Sequence, residues 1–345
     1  MQFNLKSLAL AGVALAMATG AAQARDQIRI VGSSTVFPFS TAVAEQFGQT
    51  SGFATPVVES TGSGGGLKLF CSGAGEDTPD ITNASRRIKE SEVETCAENG
   101  VTEIIEVKIG FDGIVLANSR NEPQMSITIP QLWQALAAEV PDADGNLVAN
   151  PYQNWSEIDP NLPNYAIRVM GPPPTSGTRD AFVELVMDGG CKSFDSVAAL
   201  KDSDKDKYEE VCQSIREDGA FVEAGENDNL IVQKLEADKE AFGIFGFSFL
   251  DQNVDKLQGS AIDGVDPTFE NISSGDYPVS RSLYFYVKKA HIGVVPGIQE
   301  FIEAFTSEDA WGPYGYLADK GLIPLPDADR EDARENARGG MLLSM

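Results

Sequence analysis

Short apolar segments alternate with amphipathic ones along the chain, and this alternation restricts the fold more than any other feature of the sequence. The strand-like segments include residues 27–31, 55–60 and 80–84, and the helix-like segments include residues 35–47, 64–70 and 91–98. A second unit with the same alternation begins after Asn118. Strands that alternate with helices assemble into parallel or mixed sheets with helices on both faces. The sequence therefore predicts an α/β fold.

Length and charge limit the class of protein. At about 100 to 200 residues per domain, 345 residues favour two domains. Asp and Glu number 52 against 26 Lys and Arg, and no cluster of basic residues occurs, so nucleic acid is not an expected partner. The single histidine, His291, excludes a metal site built from several histidines and makes hydrolytic triads improbable. We expect His291 to lie at the surface.

Residues 1–24 have the pattern of a signal peptide. Lys6 is their only charged residue, residues 8–18 are apolar or small, and Ala22 and Ala24 offer small side chains for cleavage. The apolar stretch is shorter than the ~20 residues that a membrane span needs. We expect cleavage before Arg25 and a soluble periplasmic product.

The four cysteines predict two disulfides, because an even number of cysteines in an exported chain is typical of disulfide bonding. Three pairings are formally possible. We favour Cys71 with Cys96 and Cys191 with Cys212, since each pair flanks one predicted helical segment and closes a short loop.

Three turns rich in glycine, serine and threonine lie between a predicted strand and a predicted helix. They cover residues 32–35, 61–66 and 175–178. Hydroxyl groups and unpaired N–H groups of a first helical turn together form a cradle for a small oxyanion. Helix capping explains any one such turn, whereas three in one chain favour anion binding. None of them has the pattern of a nucleotide-binding P-loop or of a serine nucleophile motif.

Charged residues occur beside these turns. A strand at residues 80–84 delivers Ser85, Arg86 and Arg87 to its carboxyl end, where open α/β sheets bind ligands. Asp112 interrupts an apolar strand, and a carboxylate there needs an ion pair, with Arg86 for example, or a proton-donating ligand. For Arg86 and Arg87 a surface ion pair is the alternative interpretation.

Six motifs taken together resemble the periplasmic phosphate-binding proteins that supply ABC importers. They are GSSTV, STGSGGGLK, DITNASRRI, FDGIVLANS, PPPTSGTRDAF and YPVSRSLYFYV, and the resemblance extends from Ile28 to about Pro326. It implies a bilobed fold of the type II periplasmic binding proteins, with two α/β lobes of mixed sheet joined by two hinge crossovers. It also implies capture of one inorganic phosphate between the lobes and delivery to an ABC permease in the inner membrane.

The resemblance carries binding roles to particular residues. Members of the family that have an aspartate after the A-S pair and an arginine before S-G-T differ from this chain, which has Arg86 and Pro172 at those places. We therefore expect Arg86 to make the charged contact and Asp112 to accept a hydrogen bond from a protonated oxygen of phosphate, which fully deprotonated sulfate cannot donate. Arg179 is expected to hold the lobes closed. The predicted phosphate-binding residues are Ser34, Thr35, Ser63, Ser85, Arg86, Asp112, Ser176, Gly177 and Thr178.

The signal-peptide pattern, the polar composition of the last residues and the two lobes that the resemblance implies together give the expected domain boundaries. They are a signal peptide at residues 1–24, a first lobe at 25–117 and 281–326, a second lobe at 118–280, and a polar, loosely attached tail at 327–345. The mature protein is expected to be a monomer without catalytic activity, metal or cofactor. Three alternatives stay open: a receptor for sulfate, molybdate or arsenate, an exported phosphatase with Ser63 or Ser176 as nucleophile, and an adhesion protein that binds phosphate incidentally.

Overall fold

The computed structural model describes residues 25–225 and 228–345, so the predicted signal peptide lies outside the described residues. Strands and helices alternate as the sequence predicts, and the fold is α/β. The strands are β1 (Arg29–Gly32), β2 (Val57–Ser60), β3 (Ile81–Ala84), β4 (Ile104–Ser119), β5 (Ser126–Ile127), β6 (Glu139–Pro141), β7 (Leu147–Ala149), β8 (Val169–Gly171), β9 (Phe221–Glu223), β10 (Phe242–Gly246), β11 (Leu257–Gly259), β12 (Ala261–Ile262) and β13 (Ser280–Lys288).

Most helices are short, and several follow a strand directly. They are α1 (Phe37–Thr50), α2 (Ser63–Phe70), α3 (Glu90–Glu98), α4 (Ile129–Leu136), α5 (Gly177–Phe182), α6 (Asp188–Cys191), α7 (Asp195–Ala198), α8 (Leu200–Ser203), α9 (Lys205–Gln213), α10 (Asp228–Ala237), α11 (Phe247–Asp251), α12 (Phe269–Ser274), α13 (Ile298–Phe305), α14 (Glu308–Trp311) and α15 (Asp327–Arg338). A π-helical turn, Val183–Met187, joins α5 to α6. Within the described residues, none of the helices combines the length and the apolar character that a bilayer crossing requires.

One continuous mixed sheet has the strand order β2-β1-β3-β13-β4-β10-β8-β9, with β11 also paired to β4. The long strand β4 runs through both parts of this sheet. Its residues 104–113 pair with β13, and its residues 114–119 pair with β10 and β11. We call the part with β2, β1, β3, β13 and residues 104–113 the first lobe, and the part with residues 114–119, β10, β8, β9 and β11 the second lobe.

Two chain segments cross between the lobes side by side. The first is β4 at Gly113 and Ile114, and the second is the segment that enters β13, where the Val279 carbonyl accepts a hydrogen bond from the Ile114 N–H at 2.9 Å. The pairing of β4 with β13 shifts register between Leu283 and Tyr284. Such irregularities bend a strand and increase its twist, so the sheet curls at the junction of the lobes.

Each lobe has its own apolar core. In the first lobe, the strands pack against α1 and α13 through side chains such as Val43 and Phe301. In the second lobe, Trp133, Trp155 and Phe242 are buried in a larger cluster. The core positions of the tryptophans agree with their apolar character.

Both predicted disulfides are confirmed. Cys71 at the end of α2 is bonded to Cys96 in α3, and Cys191 in α6 is bonded to Cys212 in α9. Each bond joins neighbouring helices within one lobe.

The expectation of a loosely attached carboxyl-terminal tail is wrong. Residues 327–338 form α15, in which Arg330 and Ala337 are buried. Beyond the helix, the N–H of Leu343 donates to the carbonyl of Ile104 at 2.8 Å. The polar composition of residues 327–338 does not indicate this packing, because only a narrow face of the helix contacts the first lobe.

Candidate functional site

The loop after β1 brings Ser34 and Thr35 to the edge of the first lobe. Gly32 has a φ of 131°, and a side chain there would meet the carbonyl oxygen of Asn83 at 2.1 Å, so the turn requires glycine. Asn83 also accepts a hydrogen bond from the N–H of Ser33 at 3.0 Å. The loop is thereby fixed against β3 before α1 begins at Phe37.

The glycine-rich loop brings Ser63 next to Ser85. Gly62 has a φ of 72° and α2 begins at Ser63, so the serine lies in the first turn of the helix. The two hydroxyl oxygens are 3.0 Å apart, and the N–H of Ser85 donates to Oγ of Ser63 at 3.0 Å. Two predicted site residues, separated in sequence, are therefore in direct contact at the carboxyl end of the sheet.

The second lobe supplies Ser176, Gly177 and Thr178 at the start of α5. Oγ of Ser176 accepts a hydrogen bond from the N–H of Thr178 at 3.2 Å, which leaves the hydroxyl hydrogen free to donate elsewhere. A side chain at Gly177 would lie 3.1 Å from the carbonyl oxygen of Ser34 and 3.3 Å from Cα of Thr35. The predicted loops of the two lobes therefore face each other at close range.

Two neighbouring cavities share Ser34 and Thr35 in their walls. A cavity of about 180 Å³ includes Ser63, Ser85 and Arg86 from the predicted site. A wider cavity of about 710 Å³ includes Asp112 and the loop of Ser176 to Thr178. The predicted residues thus divide between two adjoining spaces rather than lining one.

Arg281 lies between these groups, and no role was assigned to it from the sequence. Its side chain is 7% exposed and lines the smaller cavity. One terminal nitrogen donates to the hydroxyl oxygen of Thr35, the other donates to Glu184 at 2.5 Å, and Nε lies 3.5 Å from Oδ2 of Asp112. The guanidinium is thus a buried cation at the centre of the predicted site. A lone arginine at the start of the apolar strand β13, within the motif YPVSRSLYFYV, was the sequence signal.

Asp112 has an incompletely paired carboxylate. Its side chain is 13% exposed, and Oδ2 accepts no hydrogen bond from the residues that the structure describes. Burial raises the pKa of Asp112 above its ordinary value, although the charge of Arg281 opposes this shift. A buried acceptor without a donor is costly unless a ligand supplies one. The ion-pair partner of Asp112 is Arg281, and not Arg86 as considered from the sequence.

Arg86 is engaged by a carboxylate of its own region. Its two terminal nitrogens donate to Glu92 at 2.9 and 2.7 Å, and this hydrogen bonding raises the pKa of Arg86. Glu92 also accepts from the N–H of Lys89 at the start of α3. Arg86 borders the smaller cavity, and its charged contact with an anion stays a prediction. Arg87 forms an ion pair with Glu106, in agreement with the alternative interpretation.

Two further residues differ from expectation. His291 is buried, with Nδ1 at 2.6 Å from Asp80 and Nε2 at 3.1 Å from the carbonyl oxygen of Ala74, so its predicted surface position is wrong. Arg179 donates to the carbonyl of Pro172 and packs over the ring of Phe221. These described contacts of Arg179 lie within the second lobe.

The comparison with protein families identifies the fold. The PBP superfamily domain matches residues 17–309. The chain belongs to the PBP superfamily.

A solved structure of a possible phosphate-binding protein from Planctomyces limnophilus matches this PBP superfamily member with a TM-score of 0.70 and 28% identity, over 91% of this chain and 98% of that chain. An ABC-type phosphate transport receptor from Vibrio cholerae, 20% identical, shares the fold with a TM-score of 0.56 over 87% of this chain and 100% of that chain. The expected bilobed type II fold is confirmed.

Sequence relatives of this PBP superfamily member have related names. SphX of Synechococcus elongatus is 32% identical over 302 residues, which cover 86% of this chain and 76% of SphX. Phosphate-binding protein PstS of Staphylococcus saprophyticus is 29% identical over 305 residues, which cover 86% of this chain and 80% of that protein.

Proposed function

We propose that this PBP superfamily member binds inorganic phosphate between its lobes. The observation that carries the proposal is the position of Arg281 and the unsatisfied oxygen of Asp112 beside hydroxyl-rich loops from both lobes. A buried guanidinium supplies the positive charge for an oxyanion, and hydroxyl and N–H groups supply further donors. The names of PstS and of the Vibrio cholerae receptor support the same ligand.

The hydroxyl groups have distinct places in the proposed complex. Ser34, Thr35, Ser63 and Ser85 approach the anion from the first lobe, and the loop of Ser176, Gly177 and Thr178 approaches it from the second. Both cavities adjoin Ser34 and Thr35, so an anion seated there can contact donors of both. Such an anion draws the lobes together about the adjacent crossovers at Ile114 and Val279.

Asp112 discriminates among oxyanions in this proposal. Phosphate near neutral pH carries at least one proton, and its hydroxyl can donate to Oδ2 of Asp112. Sulfate has no proton at that pH, so its oxygens face the carboxylate with like charge. Arsenate is protonated in the same way as phosphate, and Asp112 does not exclude it.

The described contacts disfavour an exported phosphatase. Nδ1 of His291 contacts Asp80 and Nε2 contacts a backbone carbonyl, so neither ring nitrogen activates Ser63 or Ser176 as a nucleophile. We therefore propose a receptor without catalysis, exported by removal of residues 1–24, that delivers phosphate to an ABC permease.

Isothermal titration of the mature chain, residues 25–345, tests the proposal. We expect one-to-one binding of phosphate and no heat of binding with sulfate. Asp112→Asn should weaken phosphate binding by about 10- to 100-fold, the factor for one hydrogen bond to a charged group. The same variant should narrow the preference for phosphate over sulfate, because the repulsion is removed.

Asp144→Asn is the matched control, since it removes one aspartate charge from an exposed turn of the second lobe. Its phosphate affinity should equal that of the unmodified chain. Binding of neither anion by the unmodified chain would refute the proposal, and equal affinity in Asp112→Asn would refute the role of Asp112.

A further inference from the structure

Glu184 occupies the outward side of the buried arginine at the proposed phosphate site. It lies in the π-helical turn Val183–Met187 of the second lobe, and Oε2 accepts a hydrogen bond from Arg281 at 2.5 Å. Its side chain is 59% exposed, whereas that of Arg281 is 7% exposed. We propose that Glu184 is a tethered competitor of the anion, which holds Arg281 until phosphate displaces it. This inference rests on the proposed function.

The two terminal nitrogens of Arg281 each donate a hydrogen bond, one to Thr35 and one to Glu184, and Nε faces Asp112 at 3.5 Å. Thr35 and Asp112 belong to the first lobe, as Arg281 does, and both are largely buried. Glu184 comes from the second lobe and is the most exposed of the three. An arriving oxyanion gains the terminal N–H group that Glu184 holds only by displacing that carboxylate. Displacement moves Glu184, which is already half in water, into full hydration, whereas Thr35 and Asp112 would stay buried without a partner, so Glu184 is the partner displaced.

The charge distribution favours this exchange. Glu184 lines the same cavity of about 180 Å³ as Ser63, Ser85 and Arg281. An anion inside that cavity therefore repels the carboxylate of Glu184 while it attracts Arg281. Both interactions favour release of Glu184 into solvent when phosphate enters, and its return when phosphate leaves.

The competition has a consequence for specificity. In the absence of phosphate, Arg281 is not an open cation for chloride or other weak anions, since an acidic side chain already satisfies it. Only an anion with enough additional donors and acceptors in the cavity displaces Glu184. The apparent affinity for phosphate is lowered by the fraction of molecules in which Arg281 is free. Glu184 thus lowers affinity and raises selectivity.

Stopped-flow binding of phosphate to Glu184→Gln separates competition from a structural role. If Glu184 competes, the variant frees Arg281, and the association rate constant rises about fivefold, the factor that corresponds to an ion pair with an exposed partner. The dissociation rate constant stays unchanged, so the dissociation constant falls by the same factor. Chloride should also inhibit phosphate binding to the variant more strongly than to the unmodified chain.

The matched control is Glu217→Gln, which removes one charge from an exposed position of the second lobe. Its rate constants should equal those of the unmodified chain. If Glu184 instead fastens the closed lobes, Glu184→Gln will raise the dissociation rate constant and weaken binding, and the proposal is overturned. Unchanged rate constants overturn it as well. Absence of phosphate binding by the unmodified chain would refute the proposed function itself, and the inference with it.

Discussion

Removal of the charge of Arg281 should destabilise the fold, and a second substitution should restore most of the loss. In Arg281→Gln, the carboxylate of Asp112 keeps its burial but loses its nearest cation, 3.5 Å away. Breaking a buried pair by removal of one partner costs about 3 to 5 kcal/mol. Because the two groups are slightly exposed and lie 3.5 Å apart, we expect the lower end, about 3 kcal/mol.

Asp112→Asn alone should cost less than Arg281→Gln, because the guanidinium that stays behind still donates hydrogen bonds to Thr35 and Glu184. In the double variant no uncompensated charge is left, so we expect recovery of about 2 of the 3 kcal/mol. Urea denaturation of the four proteins without phosphate measures the cycle.

Arg168→Gln is the control, since Arg168 pairs with Asp238 on the surface with side chains 42% and 31% exposed. Its cost should be below about 1 kcal/mol. The reasoning is refuted if the double variant is as unstable as Arg281→Gln, because the loss would then come from the contacts of Arg281 with Thr35 and Glu184 and not from the buried charge of Asp112.

Two further predictions concern regions outside the site. Burial lowers the pKa of Lys288 to about 8. Between about pH 8 and 10, Lys288 is therefore still protonated in the unfolded chain but has lost its proton in the folded chain. The contribution of Lys288 to the free energy of unfolding consequently rises with pH in this range. Thermal melting at pH 7.5 and 9.5 should show that Lys288→Met lacks this rise, and an unchanged pH dependence would contradict the assignment. Truncation after Pro326 removes the buried Arg330 and Ala337, so the melting temperature should fall while the phosphate affinity in a titration stays the same. A truncated chain with unchanged melting temperature would show that α15 does not stabilise the first lobe.

The hydroxyl loops were predictable because their signal is local. Gly32, Ser34 and Thr35 are adjacent in the sequence, and a glycine followed by hydroxyl residues between a strand and a helix has few structural solutions. The disulfides followed from the same kind of short-range pattern. The alternation of strands and helices similarly predicted the α/β class.

Contacts between distant residues account for what the sequence did not predict. Arg281 contacts Thr35 because β13 returns to the first lobe and pairs with β4. The residues next to Arg281 in the sequence do not indicate a contact with a residue so distant in the chain. His291 is buried beside Asp80, which immediately precedes β3 and is again distant in the sequence. Arg86 illustrates a local signal with two interpretations, since Glu92 both helps to begin α3 and neutralises the arginine.

The shared strand β4 limits how the chain can be dissected. Residues 114–117 pair with β10 and residues 117–119 pair with β11, so a fragment that begins at residue 118 would carry the second lobe without the strand on which β10 is assembled. A fragment that ends at residue 117 would carry an exposed, unpaired ladder in its place. Expression of the two lobes as separate polypeptides therefore requires a break inside β4, so that residues 114–119 go with the second fragment. The boundary between the lobes thus lies inside one continuous strand, between Gly113 and Ile114, and not in a linker that joins two finished sheets.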